Sequence, residues 1–294
     1  RNGSNPEYIT RLITTISDAI LDKVLEISIA EMGPPPCRFA FMIMGSEGRE
    51  EQTLVSDQDN GIVFEDIDDE KQRAAASDYF GKLAELACNL LNTAGYKFCD
   101  GECMAKNPKW CQPLSQWKAY FDHWIYHASP EDLLNSSIFF DFKGVWGDLE
   151  LTDQLKAFLL NAVNQQAGFL RHLTENALHF KPPMSAFGKL VVESKGENKG
   201  ALNIKWAMLP IVDLARIYAL KHGITQTNTL TRLFRLYMQR VFTNREYIDL
   251  IQSYNYIMNL RFRRQITTLI DEKKPPDNFL NPKNLSYLDT AMLK

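Results

Sequence analysis

Between Phe39 and Asp66 the chain reads FAFMIMGSEGREEQTLVSDQDNGIVFED, and this segment restricts the fold more than any other. Phe39 to Met44 is wholly apolar, which suits a short strand buried on both faces. Gly45-Ser46 makes a turn, Ser46 to Gln52 suits a short helix, and Gly61 to Phe64 suits a second strand. Asp57 and Asp59 lie two apart, so an extended backbone projects both carboxylates to one face.

These residue types fit phosphate and metal chemistry. Gly45-Ser46, where a buried strand opens into a helix, offers backbone N–H groups and a hydroxyl at a position that favours anions. Gly48 lets a phosphate approach the backbone, and Arg49 can pair with it bidentately. Asp57 and Asp59 can share one or two Mg²⁺ ions, which prefer oxygen ligands. The plainer reading of Ser56 to Gly61 is a solvated turn, since Ser, Asp, Asn and Gly are the usual turn formers. Gln52, Gln58 and Asn60 flank the motif, either holding the carboxylates in place or serving turn and cap roles.

Elsewhere the periodicity predicts an amphipathic helix over Tyr8 to Met32, ended by Gly33-Pro34-Pro35-Pro36, and a long helix over Ile67 to Asn92, closed at Gly95. A third strand is expected over Tyr96 to Ala105, with Phe98, Asp100, Glu102 and Met104 on one face. After Pro108 the pattern turns helical: Leu114 to His127, Asp132 to Phe142, Leu151 to His179, Ile204 to His222, Thr229 to Val241 and Arg245 to Ile270. Pro182-Pro183 and Ser194 to Gly200 interrupt it. The expected division is an N-terminal helix over 1–35, an α/β part over 36–140 and a helical part over 141–294. The aromatic series Trp117, Tyr120, Phe121 and Trp124 reads as the seam between the last two. Arg261, Arg263 and Arg264 read as a solvated face or, more sharply, as a triphosphate contact, and Lys205 is a further candidate. Lys106, Asn107 and Trp110 can meet a base or ribose, though Trp110 suits core packing equally.

The chain of 294 residues is 45% apolar and 23% charged, which a folded protein requires and overall disorder does not fit. A formal net charge of −3 gives no general attraction to nucleic acid or anionic lipid. No membrane span or signal peptide is visible, and a cytoplasmic setting is expected. Beginning at Arg1, the chain reads as a fragment of something longer. Five cysteines, an odd number, do not form a disulfide framework. Cys99 and Cys103 with His123 and His127 mimic a zinc site, but the 19-residue gap between the pairs exceeds zinc-finger spacing.

An apolar strand, Gly-Ser and Asp-x-Asp leading into a second strand resembles the polymerase-β-like nucleotidyltransferases. Gly45-Ser46-Glu47-Gly48-Arg49 through Asp57-Gln58-Asp59-Asn60-Gly61 is similar to the DUF294-type nucleotidyltransferases of bacterial signalling proteins. These are relatives of PII-protein uridylyltransferase and glutamine-synthetase adenylyltransferase. Cys99-Asp100-Gly101-Glu102-Cys103-Met104-Ala105, Asn107-Pro108-Lys109-Trp110, Phe139-Phe140-Asp141-Phe142-Lys143, Gly147-Asp148 and Ala215 to Leu220 extend the likeness over nearly the whole chain.

The resemblance implies an α+β nucleotidyltransferase domain, a small mixed sheet with flanking helices, followed by an all-helical bundle. It implies Gly45 and Ser46 on a nucleoside triphosphate, and Asp57 and Asp59 on Mg²⁺ or Mn²⁺. A nucleoside monophosphate would pass to a protein or small-molecule acceptor, under an upstream CBS or cyclic-nucleotide-binding module. A third carboxylate would come from the strand after the long helix: Glu102 first, with Asp100 on its face and Asp141 as the third option. Without one, the alternative is a nucleotide-binding regulatory module with little turnover; a helical interaction scaffold is the weaker third reading.

Overall fold

The computed structural model describes residues 5–179 and 190–293, so Pro182-Pro183 lies outside the described residues. Two compact units emerge. One comprises residues 11–52 and 56–170; the other comprises residues 1–10, 53–55 and 171–294.

The first unit is mixed α and β. Helix α1 (Pro6–Met32), whose first turn groups with the other unit, leads into β1 (Phe39–Ile43), the short α2 (Gly45–Gly48), β2 (Asp57–Gln58) and β3 (Asn60–Phe64). Then come α3 (Glu70–Thr93), β4 (Lys97–Phe98), β5 (Cys111–Pro113), α4 (Leu114–His127), α5 (Pro130–Phe139), β6 (Lys143–Gly147) and α6 (Glu150–Gln165). A four-stranded sheet runs β5-β3-β1-β6. Its centre is the antiparallel pair β1 and β3, with Phe41 opposite Ile62 and Ile43 opposite Asn60. All residues of both strands are buried, which explains why β1 is a continuous apolar run instead of an alternating one.

Phe39, Phe41, Ile43, Ile62 and Phe64 pack with Leu21 and Leu25 of α1 and Phe80, Leu83 and Ala87 of α3. On the other face, Gly61 leaves room for Met42 and for Trp117 of α4, whose indole N–H donates to the Ile62 carbonyl at 2.9 Å. Trp117, Trp124 and Phe139 cluster with Trp110. The aromatic series therefore builds the core of the α/β unit and is not a seam.

Several elements depart from the sequence expectation. The strand expected over Tyr96 to Ala105 shrinks to β4, paired parallel with β2 outside the main sheet. The sheet's outer strands are instead β5, three residues ending in Pro, and β6, Lys-Gly-Val-Trp-Gly, whose two glycines hide its strand character. Because β6 pairs with β1, the α/β unit runs to residue 170 and not to about 140. The long helix expected from Leu151 is two, α6 and α7 (Ala167–Ala177), broken at Gln166 with φ −110 and ψ 77.

In the second unit, β7 (Leu202–Asn203) leads into α8 (Ile204–Lys221), α9 (Thr229–Met238) and α10 (Asn244–Ile270). The chain then reaches β8 (Phe279–Leu280), antiparallel to β7, and α11 (Tyr287–Met292). Local sequence sets these boundaries. Asn203 and Asn228 cap α8 and α9, and Thr243 with Glu246 forms a capping box on α10. Thr243→Ala should cost about 1 kcal/mol in urea unfolding, because it removes the acceptor for the Glu246 N–H. No helix among the described residues is long and apolar enough to cross a membrane.

Candidate active site

Strand β1 delivers the chain into α2, and β3 returns beside it, so the Gly-Ser turn and the acidic residues meet at one end of the sheet. The Met44 N–H donates to the Asp59 carbonyl at 2.8 Å. Gly45 has φ +59, a conformation glycine adopts without strain. A Cβ built on Gly45 would stand 2.7 Å from Asp59 Oδ2. The glycine thus leaves the space that the Asp59 carboxylate occupies, and Ser46 follows, half-buried, at the start of α2.

Gly48 and Arg49, assigned to phosphate from the sequence, face inward instead. A Cβ on Gly48 would collide with the Asp141 carbonyl and stand 2.9 Å from that of Ile43, so this glycine serves close backbone packing. Arg49 donates from Nε to Glu51 and from an amino group to Asp141, each at 2.9 Å. Burial disfavours its charge, but the two carboxylates outweigh this and hold its pKa above the ordinary arginine value. Asp141, a candidate third metal carboxylate, is fully buried in this network.

The rest of the segment is braced similarly. Glu47 accepts from the Ser17 hydroxyl at 2.8 Å, and Lys143 donates to Glu50 at 2.8 Å. Burial pushes the Glu47 carboxyl up from 4.5 to about 7, although the hydrogen bond from Ser17 opposes it. The folded state therefore binds this proton more tightly than the unfolded chain does. Its stabilising contribution is complete below pH 4.5 and is lost as pH rises through about 7. Glu47→Gln should flatten this part of the stability–pH curve, as denaturant melts at pH 4.5 to 7.5 of variant and parent would reveal.

Asp57 is exposed on β2 opposite Lys97, and Asp59 is half-buried in the break between β2 and β3. The residues alternating with them are buried and fixed. Gln58 Nε2 donates to the carbonyls of Cys88 at 3.1 Å and Tyr96 at 2.8 Å. Asn60 Oδ1 accepts from the Ala105 N–H at 2.8 Å, while its own N–H donates to the Cys103 carbonyl at 3.0 Å. Gln58 and Asn60 thereby lock the acidic pair to the end of α3 and to the loop after β4.

Glu102 lies in that loop and not on a strand. It is exposed, has φ +53, and its carbonyl accepts from the Trp110 indole at 2.9 Å. Asp100 is likewise exposed on the loop. Among the described residues, neither joins Asp57 and Asp59 in a group whose ligand atoms all lie within 4.8 Å. The group that does gather at this distance is Asp59, Cys99 and Cys103, a cluster the sequence reading missed because it weighed the cysteines only against the histidines. His123 and His127 instead stack on each other on α4, ring centroids 4.1 Å apart. The hydrogen bond between the thiols lowers the Cys99 pKa and raises that of Cys103.

Lys106 lies over the Phe98 ring, 3.4 Å from its centroid, and Trp110 is core. Asn107 caps the turn at Pro108, and Lys205 is exposed on α8. The arginine cluster on α10 is engaged within the helical unit: Arg261 with Asn278, Arg263 with Asp289, and Arg264 with Glu272 and Asp277.

Two family models match the chain in succession. Residues 1–131 match "Putative nucleotidyltransferase DUF294", and residues 167–294 match "Putative nucleotidyltransferase substrate binding domain". The chain belongs to the DUF294-type nucleotidyltransferase family. In this DUF294-type protein the first match contains Gly45, Ser46, Asp57, Asp59 and Glu102, and the second contains α8 to α11. No curated protein matches the chain.

Proposed function

We propose that this DUF294-type protein transfers a nucleoside monophosphate from a nucleoside triphosphate to a protein or small-molecule acceptor. The observation carrying this reading is the contact geometry of Gly45 and Asp59: a left-handed glycine beside a carboxylate that fills the space a Cβ would take. The turn that would cradle phosphate and an acidic residue that would hold a divalent cation are thereby adjacent. Asp57 and Asp59 supply the oxygen donors that Mg²⁺ or Mn²⁺ prefers, so the residues fit the ion. When bound, that ion supplies neutralisation of phosphate charge and a lowered acceptor pKa.

This chain's own residues divide the remaining work. Gly45 and Ser46 bind the phosphates through backbone N–H groups and a hydroxyl. Gln58 and Asn60 orient the acidic pair, while Arg49, Glu51 and Asp141 hold α2 rigid. An acceptor oxygen loses its proton to solvent and attacks the α-phosphorus, the bond to the bridging oxygen breaks, and pyrophosphate leaves. The α8 to α11 unit, which matches a substrate-binding model, is the proposed acceptor site. A role downstream of a CBS or cyclic-nucleotide-binding module in signalling belongs to the same proposal.

A second reading, nucleotide binding with little turnover, draws support from the loop position of Glu102, which leaves the acidic pair without a third carboxylate in a common 4.8 Å group among the described residues. Thermal unfolding with ATP, UTP, CTP and GTP, each with and without Mg²⁺, tests both. A nucleotide at a hundredfold excess over Kd should stabilise the fold by about 2.7 kcal/mol, and only with the cation. No shift with any of the four would overturn both readings, and a shift without transfer into any lysate component would favour the second.

A further inference from the structure

The loop after β4 places two thiols against one of the two motif carboxylates. Cys99 is half-buried, and its sulfur lies within 4.8 Å of both the Cys103 sulfur and a carboxylate oxygen of Asp59. Cys103 is buried, and its thiol also donates to the Gly101 carbonyl at 3.5 Å. Gly101 lies beside both sulfurs, each of which would stand 3.6 Å, an ordinary contact distance, from a Cβ at that position. The loop is fastened by Asn60, whose backbone bonds to Cys103 and whose side chain bonds to Ala105. The sulfurs are therefore held where they stand. Two sulfurs and a carboxylate oxygen within 4.8 Å of one another make a donor set for a thiophilic cation, not for a hard one.

We infer that Asp59, Cys99 and Cys103 form a binding site for a thiophilic divalent cation of the zinc class, with water completing a tetrahedral shell. Binding displaces the two thiol protons to solvent and turns both sulfurs into thiolate ligands. No electron transfer is involved. Because Asp59 is shared, the site competes with Mg²⁺-nucleotide binding. This consequence rests on the proposed function, whereas the metal site itself does not.

The test uses the full chain, reduced and stripped with a chelator, titrated anaerobically with Co²⁺. The expected result is a thiolate-to-cobalt charge-transfer band with the visible bands of a tetrahedral ion, saturating at one ion per chain and bleached by one equivalent of Zn²⁺. Cys99→Ser/Cys103→Ser should abolish the bands, and Asp59→Asn should weaken cobalt binding at least tenfold. Cys37→Ser, a thiol outside the cluster, should leave them intact. Far-UV circular dichroism of each variant, with the single Cys99→Ser in reserve should the double variant unfold, separates loss of ligand from loss of fold. Absence of the bands in the parent protein, or their persistence in a folded cysteine variant, overturns the site. Zinc should also diminish any Mg²⁺-nucleotide thermal shift. Cobalt bands with an undiminished shift would overturn the competition alone, and cobalt bands in a protein that binds no nucleotide would leave the site standing while the proposed function fell.

Discussion

Asp59→Asn should lower nucleotidyl transfer by roughly 100- to 1,000-fold, the range for removing one group that stabilises transition-state charge. The melting temperature should move little by comparison. Transfer of label from an α-labelled triphosphate into acceptor, at saturating Mg²⁺, measures it. The substitution keeps the shape that fills the space beside Gly45, so it changes the charge and leaves the packing. Asp57→Asn should have the same direction, because the carboxylate is exposed and its loss removes a proposed cation ligand without disturbing the core. Gly45→Ala is the complementary change: the new Cβ would stand 2.7 Å from Asp59 Oδ2 at φ +59, displacing the carboxylate instead of neutralising it. Transfer that survives Asp59→Asn and Asp57→Asn together would remove both residues from the cation site.

The parts of this site that the sequence disclosed are those where one residue type answers one local demand. The apolar run of β1 reads directly as a buried strand, and Gly-Ser followed by Asp-x-Asp reads as a turn and an acidic pair in extended chain. What stayed hidden depends on pairing partners distant along the chain. Cys-Gln-Pro becomes β5 only because β3 lies beside it, and Lys-Gly-Val-Trp-Gly becomes β6 only against β1. Arg49 illustrates the same limit from the side-chain direction. Its place in a Gly-x-x-Gly-Arg turn suits an exposed phosphate ligand, yet Asp141, 92 positions later, turns it inward. The thiol cluster needed the loop's path, which no spacing of cysteines encodes.

The inward turn of Arg49 carries the largest stability effect expected here. Its side chain is 11% exposed, and those of Glu51 and Asp141 are 4% and 0% exposed. Arg49→Ala would strand two carboxylates where water cannot replace the guanidinium, a change that costs about 3–5 kcal/mol for a buried ion pair deprived of one member. Urea unfolding should show a lower midpoint with an unchanged slope, the sign of lost stability without a change in the surface exposed. The network's value lies in its completeness more than in its charge. Replacing all three together, as Arg49→Met/Glu51→Gln/Asp141→Asn, should therefore recover much of the loss, because no charge is then left buried and unpaired. If Arg49→Ala cost under about 1 kcal/mol, the pairs would be behaving as exposed ones do, and α2 would owe its position to Gly48 and the core instead. A large loss with recovery in the triple variant would establish that the segment bearing Gly45 and Ser46 is held from beneath by ion pairs, leaving its outer face for ligand.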